Sequence, residues 1–239
     1  MIRFGNKANN PGGLAFYNDS EYEYNWDRKI SERKPLMKAF LPLAALITHL
    51  RFSDVEVHGA ENVPDEGGFV LVTNHMTGFD SIAIAYAMKC KRPTYYMAKE
   101  EFFHAFYTRI AYLIFNAFPV KRDMPDRQSL RFAKRVVDEG VGLTIFIQGT
   151  RDYLRRRLSG GKAGAAMIIR ESEADVLPVC IHVERNLRKK RPKCIIRFGD
   201  VIPFDELGFT PGKRKSRELK MVTAHLMEKI GELWDKDDI

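Results

Sequence analysis

A histidine and an aspartate stand five residues apart in the segment TNHMTGFDS, residues 73–81, directly after the strand-like run GGFVLV. On a single helix this spacing would turn the two side chains about 140° away from each other. A turn must therefore separate His75 from Asp80 if they are to meet. Gly78 lies between them and allows backbone conformations that other residues avoid. The spacing predicts a loop that folds the Asp80 carboxylate back onto the imidazole of His75.

Such a pair would form the base half of a catalytic triad. A carboxylate on one ring nitrogen fixes the tautomer of the histidine, and the other nitrogen can then remove a proton. No serine lies between His75 and Asp80, and a hydroxyl of the substrate could supply the proton instead. The pattern alone leaves a structural alternative open, in which His75 is a turn residue and Asp80 only caps a helix.

Three more blocks follow this segment in order. They are FPVKRD at residues 118–123, FIQGTR at residues 146–151 and VLPVCI at residues 176–181. Together with NHMTGFD, they resemble the four motifs of the glycerolipid acyltransferases, the family that contains 1-acylglycerol-3-phosphate acyltransferase. The resemblance covers roughly residues 50–205. It is specific because the four blocks occur in order, although each is weak alone.

The resemblance implies roles for ten residues. It makes His75 the general base and Asp80 the residue that orients it. The residues indicated for phosphate binding are Lys121, Arg122, Gly149, Thr150 and Arg151. The residues indicated for supporting the acceptor or the loops are Asn74, Gln148 and Lys162. Arginine suits an anion because its planar fork donates two hydrogen bonds at once, and no residue is indicated as a metal ligand.

The reaction implied is transfer of an acyl chain from a thioester of coenzyme A or acyl carrier protein to a hydroxyl. The acceptor implied is a lysophospholipid, with 1-acylglycerol 3-phosphate giving phosphatidic acid as the first choice. No cofactor is implied, since the thioester is a co-substrate. The three cysteines, Cys90, Cys180 and Cys194, need not form an acyl-enzyme and are interpreted as small buried hydrophobic residues.

One position departs from the family pattern. Gln148 stands where the family usually has the glutamate of Pro-Glu-Gly-Thr-Arg. A glutamine has nearly the same shape as glutamate but is neutral, and its amide both donates and accepts. Two interpretations follow: an active enzyme with a modified acceptor site, or a catalytically impaired, lipid-binding member of the family.

Charge points to anionic partners. The 239 residues carry 39 Lys and Arg against 31 Asp and Glu, a formal net charge of +8. Nucleic acid, anionic membrane and phosphorylated substrates all fit such an excess. The basic run at residues 184–193 motivates a nucleic-acid-binding alternative, but no zinc-finger spacing or RNA-binding aromatic motif accompanies it. We therefore expect lipid and thioester substrates, acyl carrier protein as a further partner, and no nucleic acid.

Strand-like and helix-like segments alternate from residue 56 onward, which predicts an α/β fold with a central largely parallel or mixed sheet flanked by helices. The chain divides into a polar arm with an amphipathic or interfacial helix, residues 1–50, and an acyltransferase α/β domain, residues 51–239. Ligands of open α/β sheets bind beyond the carboxyl ends of the strands. The loops after the strands are therefore the expected site.

Residues 36–50 form an apolar run of 15 residues, shorter than the roughly 20 that span a bilayer. A core helix and an interfacial helix are both compatible with this run. The first residues contain no signal-peptide pattern. Because the acceptor and product are lipids, we expect peripheral or monotopic attachment at the cytoplasmic face of a membrane.

Overall fold

The structure is a computed structural model. It describes residues 23–30, 34–89, 91–92, 94–121, 126–151, 158, 160–184, 190–212 and 216–235.

Within these residues, seven strands form one mixed sheet. The strands are β1 Asp54–His58, β2 Phe69–Thr73, β3 Thr94–Lys99, β4 Ala117–Val120, β5 Gly142–Phe146, β6 Asp175–Glu184 and β7 Lys193–Phe198. Their order is β1-β7-β6-β2-β5-β3-β4. All neighbours are parallel except β6 and β7, which form an antiparallel hairpin. The predicted α/β fold is confirmed, and the sheet is of the mixed kind.

Six α-helices flank the sheet in the described part of the chain. They are α1 Lys34–Arg51, α2 Asp80–Ala87, α3 Phe106–Ile114, α4 Arg127–Asp138, α5 Gly164–Ser172 and α6 Ser216–Trp234. Three short 3-10 helices lie at Ala60–Asn62, Glu100–Phe103 and Phe204–Leu207. Helices α4, α5 and α6 pack over one face of the sheet, whereas α2 covers the other face and α1 packs on α2.

Asp126 and Gly140 predict a helix over residues 127–139, and α4 agrees with this prediction to within one residue. Asp126 caps this helix, accepting a hydrogen bond from the backbone N–H of Ser129 at 3.1 Å. Gly140 follows its end with φ of 79°, in the left-handed region that glycine adopts without strain. The sequence predicts one apolar stripe on α6 formed by Leu219, Val222, Leu226, Ile230 and Leu233. The last four are buried, and Leu219 is half-buried against the core.

One helix differs from its prediction. Residues 101–117 read as a single helical stretch, but the chain is extended at Ala105, with φ of −88° and ψ of 130°, and α3 begins only at Phe106. The hydroxyl of Thr108 donates to the carbonyls of Phe102 at 2.7 Å and Ala105 at 2.9 Å. Side-chain bonding of this kind competes with the helical pattern, and apolar periodicity does not report it.

Part of the predicted N-terminal arm joins the core. Tyr24 and Ile30 are buried, and the ring of Tyr24 meets the edge of Phe132 on α4 at 5.6 Å between centroids. The guanidinium of Arg135 donates to the carbonyl of Arg28 at 2.7 Å. The domain boundary at residue 50 stays a prediction, but residues 23–30 pack with the α/β core.

Candidate active site

The carboxyl ends of β2 and β5 lie side by side and bring two of the predicted motifs together. Thr73 pairs with Phe146 at the end of the two strands, and the N–H of Ile147 donates to the Thr73 carbonyl at 2.9 Å. The loops that follow carry His75 and Gln148. Parallel strands end at the same edge of a sheet, so the two motif loops lie together at the edge where the site is expected.

The predicted contact between His75 and Asp80 is present. Nδ1 of His75 lies 2.7 Å from Oδ2 of Asp80. The Asp80 side chain is fully buried as the first residue of α2, whereas the imidazole is 17% exposed. The ring of Phe146 stacks on the imidazole at 4.1 Å between centroids and 28° between planes. A buried carboxylate on one edge and an aromatic face below fix the orientation of the imidazole.

The surroundings of Asp80 also fix the tautomer of the imidazole. The carboxylate accepts from the N–H of Met76 at 2.6 Å and from the N–H and hydroxyl of Thr77 at 2.9 Å and 2.6 Å. Because these contacts all supply donors, the carboxylate acts as an ionised acceptor, and Nδ1 of His75 carries the proton. Nε2 then keeps a lone pair with which to accept a proton from substrate.

Thr77 was not predicted as part of the site. Its hydroxyl accepts from the N–H of Phe79 at 3.1 Å while it donates to Asp80. The available signal is a threonine three residues before an aspartate that starts a helix, which is a common local turn arrangement. Thr77 therefore holds the turn that carries His75.

Asn74 ties the histidine loop to the next strand. Its side-chain amide donates to the carbonyl of Ile181 at 2.7 Å, and its side-chain carbonyl accepts from the N–H of the same residue at 2.8 Å. Both bonds are buried, so Asn74 replaces one rung of the ladder between β2 and β6. This contact agrees with the supporting role expected of Asn74.

Gln148 supports the same loop from the other side. Its side-chain carbonyl accepts from the backbone N–H of His75 at 3.0 Å, and the residue is 3% exposed. This contact supports a role for Gln148 in holding a backbone amide in position. Gln148 is not among the described residues that line the cavity beside His75.

Two cationic side chains approach the histidine loop and the Gln148 loop. A Cβ placed on Gly78 would lie 3.4 Å from Nη1 of Arg151, so this guanidinium lies over the glycine between His75 and Asp80. The stem of Lys162 covers Gly149, where a Cβ would come within 2.9 Å of Cδ. Gly149 also has φ of 70°, which favours glycine for a second reason.

The structure places the remaining predicted phosphate ligands differently with respect to the cavity. Lys121 follows β4 and lines the cavity, with Nζ 3.7 Å from Oε1 of Glu100. Thr150 is exposed and is not among the described residues of the cavity wall. Arg122 lies outside the described residues, so its role stays a prediction.

A cavity of about 890 Å³ opens beside His75. Among the described residues, the charged side chains of its wall are Lys99, Glu101, Lys121, Asp126, Arg151 and Lys162. Apolar side chains of its wall include Met97, Ala111, Tyr112, Phe115, Leu130 and Ile168. Four basic groups against two acidic ones suit an anion, and the apolar part suits a hydrocarbon chain.

The comparison with protein families decides the class of this chain. The acyltransferase family profile matches residues 54–182, more than half of the chain. The chain belongs to the acyltransferase family. The matched range includes His75, Asp80, Gln148 and Arg151. The resemblance drawn from the four motifs, and the assignment of the chain as an O-acyltransferase, are confirmed.

Two curated relatives extend this acyltransferase assignment. The chain is 27% identical over 186 residues to the 1-acyl-sn-glycerol-3-phosphate acyltransferase of Bacillus subtilis, an alignment that covers 77% of this chain and 90% of that protein. It is 24% identical over 193 residues to the enzyme of the same name from Streptococcus pneumoniae, over 77% of this chain and 69% of that protein.

A solved structure supports the fold of this acyltransferase. The crystal structure of the 1-acyl-sn-glycerophosphate (LPA) acyltransferase PlsC from Thermotoga maritima matches with a TM-score of 0.65 and 22% identity. The match covers 90% of this chain and 87% of that chain.

Two of the three cysteines, Cys180 and Cys194, lie in the described part of the chain. Cys180 and Cys194 are buried and free. Burial raises the pKa of each thiol to about 12, so neither is a thiolate near neutral pH. The interpretation of these two cysteines as buried hydrophobic residues is confirmed, and Cys90 lies outside the described residues.

Proposed function

We propose that this acyltransferase moves an acyl chain from a thioester to the free hydroxyl of 1-acylglycerol 3-phosphate, giving phosphatidic acid. The observation that carries the proposal is the convergence of the His75–Asp80 pair with Arg151 and Lys162 on one cavity. The names of the curated relatives support the choice of acceptor. The donor is a thioester of coenzyme A or of acyl carrier protein, because either leaves as a thiolate.

The chemistry begins at Nε2 of His75. This nitrogen accepts the proton of the acceptor hydroxyl while the hydroxyl oxygen bonds to the carbonyl carbon of the thioester. The carbon–sulfur bond then breaks, and the leaving thiolate takes the proton from Nε2. Asp80 stabilises the imidazolium that exists between the two transfers. The products are a new oxygen ester and a thiol, and no covalent enzyme intermediate forms.

The cations position the acceptor. Arg151, Lys162 and Lys121 reach the cavity from the loops after β5 and β4. A phosphate bound among them would be held by charge-assisted hydrogen bonds, which are about twice as strong as neutral ones. Binding at the phosphate leaves the hydroxyl of the glycerol near His75, and such positioning supplies much of the rate in bimolecular reactions.

The membrane-facing part of this proposal rests on α1. Leu43, Leu46 and Leu50 recur at helical spacing and are 44%, 55% and 63% exposed, whereas Ala44 and Thr48 on the same helix are buried. The buried side of the helix agrees with the core alternative, and its exposed leucines support the proposal of an interfacial helix. We place the protein peripherally at the cytoplasmic face of a membrane, where basic residues near the surface would each add about 1 kcal/mol. Among the described helices, none has the length and apolarity to cross a bilayer.

A thiol-release assay tests the proposed function. Purified protein is given palmitoyl-coenzyme A or palmitoyl-acyl carrier protein, with 1-acylglycerol 3-phosphate, lysophosphatidylcholine or no acceptor. Release that depends on 1-acylglycerol 3-phosphate is the expected result. Equal release without acceptor would make the protein a thioesterase. Absence of release together with salt-sensitive binding of oligonucleotides would favour the nucleic-acid-binding alternative.

A further inference from the structure

Helix α3 has an exposed apolar side. Phe106, Tyr107 and Ile110 are 46%, 70% and 41% exposed, and Phe102, just before the helix, is 36% exposed. Four of the nine large hydrophobic residues exposed in the described part of the chain thus fall within nine positions. Exposed apolar patches of this kind mark interaction sites on soluble proteins.

The opposite side of α3 is apolar as well. Ala111 and Tyr112 line the cavity beside His75, and Phe115 follows at the end of the helix. No residue of α3 is buried, and Arg109 is its only charged residue. A surface helix normally turns a polar face to water, whereas α3 has apolar side chains both on the side that lines the cavity and on the exposed side formed by Phe106, Tyr107 and Ile110.

We propose that the outer side of α3, formed by Phe106, Tyr107 and Ile110, inserts into the surface of an anionic lipid bilayer. This contact would set the mouth of the cavity at the level of the acyl chains, so that the lysophospholipid enters beneath α3 without crossing water. The proposal rests on the proposed function, because it takes the acceptor to be a lipid.

The size of the patch favours a bilayer over a second copy of the chain. Aromatic side chains of about 150–250 Å² each, exposed to the fractions above, leave a patch of roughly 300–400 Å². A stable protein dimer buries about 800 Å² per partner. A bilayer needs no such area or matching shape, since each apolar side chain that enters the interface contributes separately.

Charge around the patch agrees with an anionic surface. The guanidinium of Arg109 lies 5.7 Å from the centroid of the Phe106 ring. The two nearby acids are paired, Glu101 with Lys99 at 2.6 Å and Glu100 with Lys121 at 3.7 Å. The two pairs cancel in formal charge, so Arg109 leaves these five groups with a net positive charge, which suits the headgroup region of an anionic bilayer.

The test compares a triple variant, Phe106→Gln, Tyr107→Gln and Ile110→Gln, with the wild type. Glutamine preserves helix propensity, and none of these three residues lines the cavity. The matched control is Met221→Gln, since Met221 is 61% exposed on α6. Binding is measured by flotation with vesicles of phosphatidylcholine and phosphatidylglycerol. Turnover is measured with acceptor in those vesicles and with a short-chain, monomeric 1-acylglycerol 3-phosphate.

We expect the triple variant to lose vesicle affinity and turnover on vesicle-borne acceptor by about tenfold, with turnover on the monomeric acceptor unchanged. The control should match the wild type in all three measurements. Vesicle binding equal to that of the wild type would overturn the proposal, and so would an equal loss of turnover on both acceptors. A dimer of the wild type that the triple variant loses, with vesicle binding unchanged, would assign the patch to a second copy. Failure of the wild type to use either acceptor would instead refute the proposed function.

Discussion

The side-chain carbonyl of Gln148 accepts a hydrogen bond from the backbone N–H of His75 at 3.0 Å. The bond joins two loops that are 73 residues apart and fixes the backbone of the proposed base directly. A carbonyl oxygen suffices for it, so the neutral amide can replace the carboxylate that the family usually has here. Gln148 therefore holds the backbone of His75 in place, and we expect any effect of Gln148 on turnover to act through His75.

This contact predicts different effects for two substitutions of Gln148. Gln148→Met removes the acceptor at similar size, and we expect kcat to fall about 10- to 100-fold with KM little changed, because misplacement of the base slows the chemical step. Gln148→Glu keeps an acceptor oxygen, so kcat should stay within about threefold of the wild type. Steady-state kinetics over a range of pH measure both. A rise in turnover by orders of magnitude in Gln148→Glu, at unchanged stability, would identify the natural chain as the impaired family member.

The His75–Asp80 pair predicts two variants that differ in stability. His75→Ala should lower kcat by at least about 10³-fold, because it removes the base, while thermal unfolding stays unchanged. Asp80→Asn should slow turnover to a similar degree and also destabilise the fold by about 1–3 kcal/mol, since the donors of Met76 and Thr77 lose a carboxylate partner. Thiol release and urea unfolding separate the two. If His75→Ala kept more than a tenth of the activity, His75 would not be the general base.

The pattern of apolar and polar residues was sufficient to predict the sheet and the edge at which two of the motif loops meet. Strands β2 and β5 read as apolar runs bounded by turn residues, and their parallel pairing brings the loops at residues 74 and 147 to one edge. The contact of His75 with Asp80 was predictable because five residues around a glycine leave few ways to turn.

Contacts between distant side chains were not predictable in this way. The bond from His75 to Gln148 depends on the register of β2 against β5, and the position of Arg151 over Gly78 depends on the same register. The break before α3 depends on one threonine hydroxyl. Apolar periodicity reports which face is buried, but not which polar atoms meet across the sheet.

Arg151 predicts an effect on acceptor binding. Arg151→Ala should raise KM for 1-acylglycerol 3-phosphate about 10- to 100-fold, since it removes a charge-assisted contact to phosphate. Turnover on an acceptor without phosphate, such as a monoacylglycerol, should change little. Arg127→Ala is the matched control, because Arg127 is exposed on α4 and is not among the described residues of the cavity wall. An equal effect on both acceptors would count against phosphate recognition by Arg151.

The buried thiols predict a dependence of stability on pH. Burial raises the pKa of Cys180 and Cys194 from an ordinary value of 9.0 to about 12. The folded state therefore holds protons that the unfolded state releases above pH 9, so this contribution to stability is complete below pH 9 and is lost as the pH rises toward 12. In a Cys90→Ser variant, we expect dithionitrobenzoate to react with neither remaining thiol of the native protein at about pH 8 and with both after denaturation. Rapid reaction of the native protein would show that a thiol is accessible.

The guanidinium of Arg92 predicts a large loss of stability away from the site. Arg92 is 2% exposed and donates to three backbone carbonyls, those of Pro64 at 3.0 Å, Gly67 at 2.8 Å and Gly140 at 3.0 Å. Its planar fork reaches all three at once and joins the turn before β2 to the turn after α4. Arg92→Met would leave these carbonyls without their donor, so the free energy of unfolding should fall by about 2–4 kcal/mol.

Two further variants make the Arg92 prediction specific. Arg92→Lys keeps the charge, but a single ammonium cannot match the spread of three carbonyls, so we expect a loss between those of Arg92→Met and the wild type. Lys91→Ala removes the adjacent, exposed cation that pairs with Asp65 and should change stability by no more than about 0.5 kcal/mol. Urea unfolding followed by circular dichroism measures all three. If Arg92→Lys unfolded at the same urea concentration as Lys91→Ala, the stabilisation would come from the positive charge or its stem and not from the fork that joins the two turns.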